Sequence, residues 1–264
     1  MYPVLPVARP LALPPDRPPP AAVPPRAVVS IRELRSHCTT CSVRELCLPV
    51  GLDRDTTQAL DDIVDVRRKL RKGEALYHTG DPFTALYAVR LGSLKTVILA
   101  EDGREQVAGY HMLGDVIGLD GIGTTRHECD GIALEDTEVC LMPFDKLEDL
   151  ARLLPSLQQN LHRFIAREVQ RDHRVMLLLG SMRAEERLAA FLLDLAKRYQ
   201  HRGYSSTEFV LRMTREEIGS LLGLKLETVS RLFSRFQLEG LVKVRGRSIT
   251  LVDVVALREL AGPA

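Results

Sequence analysis

Arg212-Met-Thr-Arg-Glu-Glu-Ile-Gly-Ser-Leu-Leu-Gly-Leu-Lys-Leu-Glu-Thr-Val-Ser-Arg231 is the stretch on which the reading of this chain turns. Thr214 and Glu217 stand three apart ahead of an apolar pattern, the spacing at which a hydroxyl and a carboxylate satisfy each other's backbone amides at a helix start. Ile218, Leu221 and Leu222 follow at helical spacing, and Gly223 supplies a turn. A second helix is expected from Leu226 to Leu238, with Gly240 just past its end. Val229, Leu232, Phe233 and Phe236 form its inward face, so Glu227, Ser230 and Arg231 point outward within the first two turns. Two helices joined this tightly, the second with a polar outer face, predict a helix-turn-helix whose second helix enters a major groove. Arginine there can grip guanine and a carboxylate can accept from cytosine, which makes Lys225, Glu227, Thr228, Ser230 and Arg231 the candidate DNA contacts. Strands at 242–244 and 248–251, joined by Arg245-Gly246-Arg247, predict a basic wing whose arginines touch phosphates. A plain helical hairpin would share the periodicity but not the coincidence of capping box, glycine turn, polar face and wing.

Charge divides the chain at the same place. Residues 181–264 carry 14 Lys/Arg against 10 Asp/Glu, net +4, whereas 22 against 25 leave residues 1–180 at −3. A basic C-terminal part fits nucleic-acid binding at that end only. A length of 264 residues, with 45% hydrophobic and 27% charged content, suits a globular protein with one large or two modest cores. No apolar run approaches the ~20 residues of a membrane span, and no secretory pattern opens the chain, so a cytoplasmic protein with no membrane partner is expected. Residues 1–30 hold 10 of the 15 prolines before position 27 and are expected to be a disordered tail.

Between tail and helix-turn-helix the pattern is different again. Segments 75–77, 85–90, 93–99, 104–112, 131–133 and 138–142 alternate like strands and are separated by turn signals such as Gly80-Asp81-Pro82 and Leu113-Gly114-Asp115. They predict an antiparallel, jelly-roll-like β-roll. A long helix then runs from Pro155 to about residue 179, with an apolar stripe of Leu161, Ile165, Val169, Val175/Met176 and Leu179. Its length favours pairing with a second copy, through Ile165, Val169, Asp172 and Met176. Two facing Asp172 carboxylates would repel, which would make such a seam marginal and switchable; the alternative is that Asp172 sits at the edge of the stripe in water. The expected fold is therefore α+β, with a sensor roll and cysteine loop at 31–154, a dimerisation helix at 155–180 and a winged helix-turn-helix domain at 181–264.

Cys38, Cys41 and Cys47 lie close together as C-x2-C-x5-C, and Cys140 follows almost a hundred residues later on a predicted strand. In a reducing compartment, gathered thiols point to metal rather than disulfides. The spacing matches neither the paired spacings of zinc ribbons nor those of ferredoxins, and by itself leaves zinc and iron–sulfur both open.

These motifs resemble one family. Residues 212–219 and 226–231 are similar to the helix-turn-helix of the cAMP receptor protein/FNR superfamily. Glu227-x-x-Ser230-Arg231 resembles its FNR (fumarate and nitrate reduction regulator) branch; the cAMP-receptor branch carries arginine in the place of Leu226 and glycine in that of Ser230. His37-Cys-Thr-Thr-Cys-Ser-Val-Arg-Glu-Leu-Cys-Leu-Pro49 resembles the FNR cluster loop, and Val139-Cys-Leu-Met-Pro-Phe144 the segment with its fourth ligand. Over residues 31–262, the resemblance implies an oxygen-responsive global transcription regulator of anaerobic metabolism. Cys38, Cys41, Cys47 and Cys140 would ligate a [4Fe–4S] cluster, and the cluster-loaded homodimer would bind a DNA palindrome resembling TTGAT-N4-ATCAA. Oxygen would degrade the cluster and leave a monomer, with Asp172 as the repelling residue of the dimer helix. The turn Glu101, Asp102, Gly103 and Arg104 would touch RNA polymerase. Cys129 has no ligand counterpart in the family pattern.

Rival readings are weaker. A cyclic-nucleotide regulator needs Arg-Ser-Ala after its glycine segment, and here Gly114-Asp-Val-Ile-Gly118 is followed by Thr125-Arg-His-Glu-Cys129. A haem sensor leaves the four cysteines unexplained, and a zinc-stabilised DNA-binding protein would have no sensing role. A jelly-roll metalloenzyme needs converging ligands, whereas His78, His111 and His127 show no paired spacing, so no enzyme is expected.

Overall fold

Strand β3 (Ala85–Leu91) is buried on both faces, and this organises the N-terminal half. The computed structural model describes residues 37–64, 67–100 and 103–262; the proline-rich tail, Glu101 and Asp102 lie outside them. Ala85, Tyr87 and Val89 point into one apolar cluster, with Leu70, Leu76, Tyr77, Leu94, Ile117 and Val139. Leu86 and Ala88 point the opposite way, into a second cluster with Cys47, Leu48, Leu60, Met142, Leu147 and Leu157. A strand covered on both sides reads as a nearly continuous apolar run, as Ala-Leu-Tyr-Ala-Val does here.

Eight strands form the roll: β1 (Arg67–Leu70), β2 (Ala75–Tyr77), β3, β4 (Ser93–Leu99), β5 (Glu105–Met112), β6 (Val116–Ile117), β7 (Asp130–Ala133) and β8 (Thr137–Pro143). They pair antiparallel in two sheets, β1-β8-β3-β6 and β2-β7-β4-β5. The predicted strands are all present. Sequence reading missed β1, whose Arg-Arg-Lys-Leu buries only Leu70, and β6, which is two residues long. Gly92, at φ +84° between β3 and β4, is required there, because a Cβ would stand 2.8 Å from the Asp136 carbonyl oxygen.

The second cluster is roofed by helices. Helix α1 (Arg54–Ile63) starts at Asp53, whose carboxylate accepts from the Thr56 amide at 2.7 Å. Helix α2 (Phe144–Leu153) follows β8, and α3 (Pro155–Ser181) begins with proline in its first turn. Leu157, Leu161 and Phe164 of α3 pack beside Cys47 and Leu48.

Beyond α3 come α4 (Ala184–His201), β9 (Glu208–Val210), α5 (Arg215–Leu222), α6 (Leu226–Leu238), β10 (Val242–Arg245), β11 (Ser248–Leu251) and α7 (Val254–Ala261). The capping box forms as expected: the Glu217 carboxylate accepts from the Thr214 amide at 2.7 Å, and Thr214 Oγ1 accepts from the Glu217 amide at 3.2 Å. Arg245 ends β10 opposite Ser248, so the wing tip is Gly246-Arg247, and β9 adds a third strand to the predicted hairpin. The core of this part is continuous with the roll, since Leu192, Ile218 and Phe236 share one cluster with Val97, Val107 and Tyr110. Lys95 meets Glu217 at 2.8 Å, and the Val107 amide donates to Ser220 Oγ at 2.8 Å. The helix-turn-helix is thereby docked on β4 and β5.

Candidate functional site

Cys38, Cys41, Cys47 and Cys140 line one pocket, together with Val43, Arg90 and Met142. Sheet register sets the fourth thiol: Cys140 pairs with Ala88 on β3 and with Arg67 on β1, on the face that carries the second cluster. Asp61 sets the first. From α1, its buried carboxylate accepts from the Cys38 amide, from Thr39 Oγ1 at 2.7 Å and from the Thr39 amide at 3.3 Å, with His37 Nδ1 at 4.0 Å. Cys38–Thr40 and Arg44–Leu46 each form a single helical turn, which brings Cys41 and Cys47 round the same pocket. Leu46 rests on the β5–β6 turn: a Cβ on Gly114 would lie 2.5 Å from Leu46 Cβ, so this close approach requires glycine. Asp61 and Arg90 were not singled out from sequence and Gly114 was read only as a turn residue, because nothing local marks them as neighbours of the thiols.

The electrostatics of the pocket disfavour bare thiolates. Burial first, then Cys47, Asp61, Cys140 and Cys41, push the Cys38 thiol well above the ordinary range. Burial pushes Cys47 up to about 12 against a backbone hydrogen bond at Leu48, with Cys140, Cys41 and Asp115 adding to it. Each ionised sulfur would make the next costlier, unless cationic metal sits among them and reverses the balance. Arg90 lies beside the Cys41 thiol and donates to Glu138 at 2.7 Å, a positive group suited to an anionic thiolate centre. Four soft donors around one pocket therefore fit an iron–sulfur cluster in chemistry. No three His, Cys, Asp or Glu among the described residues are gathered about a point that would hold one metal ion. Cys129 lies elsewhere, inside the roll near Tyr77 and Asp120.

Lys225, just before α6, and Glu227, Ser230 and Arg231 on it are exposed and Thr228 is half-buried, while Val229, Leu232, Phe233 and Phe236 are buried. Arg245 and Arg247 are exposed at the wing, where Arg247 Nη1 reaches the Arg212 carbonyl at 3.5 Å. Gly103 and Arg104, also exposed, close the tip of the β4–β5 hairpin, with the Gly103 amide on the Ala100 carbonyl at 2.9 Å.

Along α3 the apolar stripe divides between two faces. Leu161 is buried within the chain, Ile165 is half-buried, and Val169 and Met176 are 45% and 60% exposed, with exposed Asp172 between them. Leu177 is also exposed, so the distal half of α3 has an open apolar face interrupted by a carboxylate. At its far end, Arg187 of α4 donates to the carbonyls of Leu179 (2.8 Å), Met182 (2.9 Å) and Leu222 (3.0 Å). That guanidinium ties the end of α3 to the end of α5, and sequence reading did not find it.

A β-roll followed by a long helix and a docked winged helix-turn-helix defines a DNA-binding regulator rather than an enzyme. Residues 186–260 match the model of the Crp-like helix-turn-helix domain and residues 67–153 that of the cyclic nucleotide-binding domain. The transcriptional regulatory protein btr of Bordetella pertussis is 47% identical over 227 residues, 86% of this chain and 94% of that protein. The fumarate and nitrate reduction regulatory protein of Escherichia coli is 42% identical over 226 residues, 86% of this chain and 90% of that one. FixK2 from Bradyrhizobium japonicum superposes with a TM-score of 0.70 at 34% identity, covering 75% of this chain and 98% of its own. The chain belongs to the FNR branch of the cAMP receptor protein/FNR transcription regulators.

Proposed function

We propose that this regulator holds a [4Fe–4S] cluster on Cys38, Cys41, Cys47 and Cys140, and that it binds promoter DNA as a homodimer while loaded, controlling anaerobic metabolism genes in response to oxygen. The observation that carries the reading is the gathering of these four thiols about one pocket, with the loop held by Asp61 on one side and Cys140 carried by strand β8 on the other. When bound, the cluster supplies an oxygen-labile tie between the loop and the roll. The loop's own residues pack against the first turns of α3, and the open face of α3, from Ile165 to Met176, meets a second copy across Asp172. Each α6 then enters one half-site of a palindrome resembling TTGAT-N4-ATCAA. Glu227, Ser230 and Arg231 read bases, Lys225 and Thr228 assist, and Arg245 and Arg247 meet phosphates. The 101–104 turn faces RNA polymerase.

In this reading, residues 31–154 sense, 155–180 dimerise and 181–264 read DNA, in a cytoplasmic protein; no described helix is long and apolar enough to cross a membrane. Two rivals lose ground. A cyclic nucleotide would compete with side chains already filling the roll, where Tyr77 stacks on His127 with ring centroids 3.6 Å apart and lies 5.9 Å from Tyr87. A single zinc needs its sulfurs about 2.3 Å from one centre, and among the described residues no three His, Cys, Asp or Glu are gathered to hold one metal ion. Anaerobic purification tests the proposal: a brown protein with iron and sulfide that binds the palindrome, and releases it as air bleaches the colour, is the expected result. Colourless zinc protein, or DNA affinity unchanged after bleaching, defeats it.

A further inference from the structure

Asn160 sits in the second turn of α3 and is 2% exposed. Its Nδ2 donates to the Leu48 carbonyl at 3.0 Å and to the Val50 carbonyl at 2.8 Å, and its Oδ1 accepts from Arg163 Nη1 at 3.0 Å. Leu48 follows Cys47 directly in the chain. Both acceptors are carbonyl oxygens, so turning the amide over would set oxygen against oxygen, and its orientation is fixed. The contact therefore joins the backbone just after one thiol to the helix that carries Asp172, which lies ~18 Å further along the axis at ~1.5 Å per residue.

We infer that Asn160 is the positioning residue through which the cysteine loop sets the state of the dimer helix, an assignment that rests on the cluster reading above. With the loop in place, the amide is satisfied and the first turns of α3 are held beside Cys47 and Leu48. When the loop leaves, Asn160 loses both acceptors while its neighbours Leu157, Leu161 and Phe164 lose part of their cover. A buried amide without acceptors is costly, so this end of the helix must shift or admit water. A helix with two arrangements, each favoured by a different state of the loop, is what coupling between distant sites requires. Apolar packing alone would tolerate small slips of the loop; a two-pronged bond to fixed carbonyls does not.

The test uses the full-length protein, handled anaerobically, as wild type and as Asn160→Ala. Iron and sulfide content and the visible spectrum report the cluster. Sedimentation equilibrium reports the monomer–dimer constant of loaded and chelator-stripped protein. We expect loaded wild type to dimerise at least tenfold more tightly than stripped protein, and Asn160→Ala to take up the same iron with that ratio reduced below threefold. A merely structural role would weaken both states alike and keep the ratio. Should the variant fold poorly, hydrogen exchange on wild type decides: stripping should lower amide protection at positions 157–164. An unchanged ratio in a loaded variant, or unchanged protection in stripped wild type, overturns the coupling and leaves the cluster reading standing. Wild type without iron overturns both.

Discussion

Asp115 Oδ1 accepts from Arg202 Nη2 at 2.7 Å, so a carboxylate on the turn between β5 and β6 holds the end of α4. Its Oδ2 accepts from Arg198 at 2.6 Å, and Arg171 of α3 lies 3.6 Å away. One anion thus gathers cations from α3 and from the first helix of the DNA-reading part, directly after Gly114, on which Leu46 rests. Burial opposes ionisation of Asp115, but Arg198, Arg171 and Arg202 outweigh it and hold the carboxyl well below the usual carboxylate range. Asp115→Asn leaves buried guanidinium groups uncompensated and should cost about 3–5 kcal/mol in urea unfolding at neutral pH. A group whose pKa is depressed in the folded state stabilises above its unfolded pKa and loses that contribution as pH falls through the folded one. The gap between wild type and variant should therefore narrow in acid. A gap independent of pH would argue against this role.

His111 is a buried neighbour of the same cluster, with Nε2 3.2 Å from Thr96 Oγ1 and Nδ1 lacking a partner. Burial first, then Arg171 and Arg198 against Asp115, lower its pKa from 6.5 to about 3. The unfolded chain therefore takes up a proton near pH 6.5 that the folded chain refuses. This cost is absent above that pH and grows as pH falls toward 3, by up to ~1.4 kcal/mol per unit. His111→Gln should flatten the loss of stability between pH 7 and 5, measured by urea titration at each pH.

Cysteine substitutions separate ligands from bystander. Cys140→Ser should abolish iron binding and DNA affinity together. Cys129→Ser, inside the roll with Tyr77, should retain anaerobic iron content within about a fifth of wild type. Iron lost from the Cys129 variant instead would reassign the fourth ligand.

The helix-turn-helix was legible because its signals are local: a capping box, a glycine turn and an apolar period, each fixed within a few residues. The strands were legible too, except β1, whose three basic residues mask a pairing that only β8 explains, and the short β6 and β9. The long helix showed its period, but Leu161 and Val169 could not be assigned to different faces before it was known that Leu48 covers one of them. Around the thiols, Asp61, Arg90 and Asn160 stayed hidden because each acts on a residue 22 to 112 positions away, and an aspartate or asparagine on an amphipathic helix reads as solvated until something packs over it. Cysteine spacing marked the thiols that line one pocket; the side chains that support that pocket are tertiary.

Asp172 lies exposed between Val169 and Met176. Burial raises its pKa, against Arg171 and His173, which lower it. A second copy would desolvate it further. Asp172→Ala removes the repulsion and should tighten dimerisation of aerobic protein at least tenfold, with DNA binding in air as the second readout. A variant that remains monomeric in air would remove Asp172 from the seam.

Recognition and wing arginines should fail differently. Arg231 is exposed on the second turn of α6, where a guanidinium can make a bidentate contact to one guanine, so Arg231→Ala should cost about 1–3 kcal/mol on the best palindrome and little on unrelated DNA. Arg247, at the wing tip, is assigned to phosphate rather than to a base in the proposed complex. Arg247→Ala should weaken binding to all sequences alike and reduce the salt slope by about 1 per subunit, because one fewer counterion leaves the phosphates. Fluorescence anisotropy with cluster-loaded protein, on specific and scrambled duplexes over a range of salt, distinguishes the two. If Arg247→Ala changed discrimination while Arg231→Ala changed only the salt slope, the wing and not α6 would be the base-reading element.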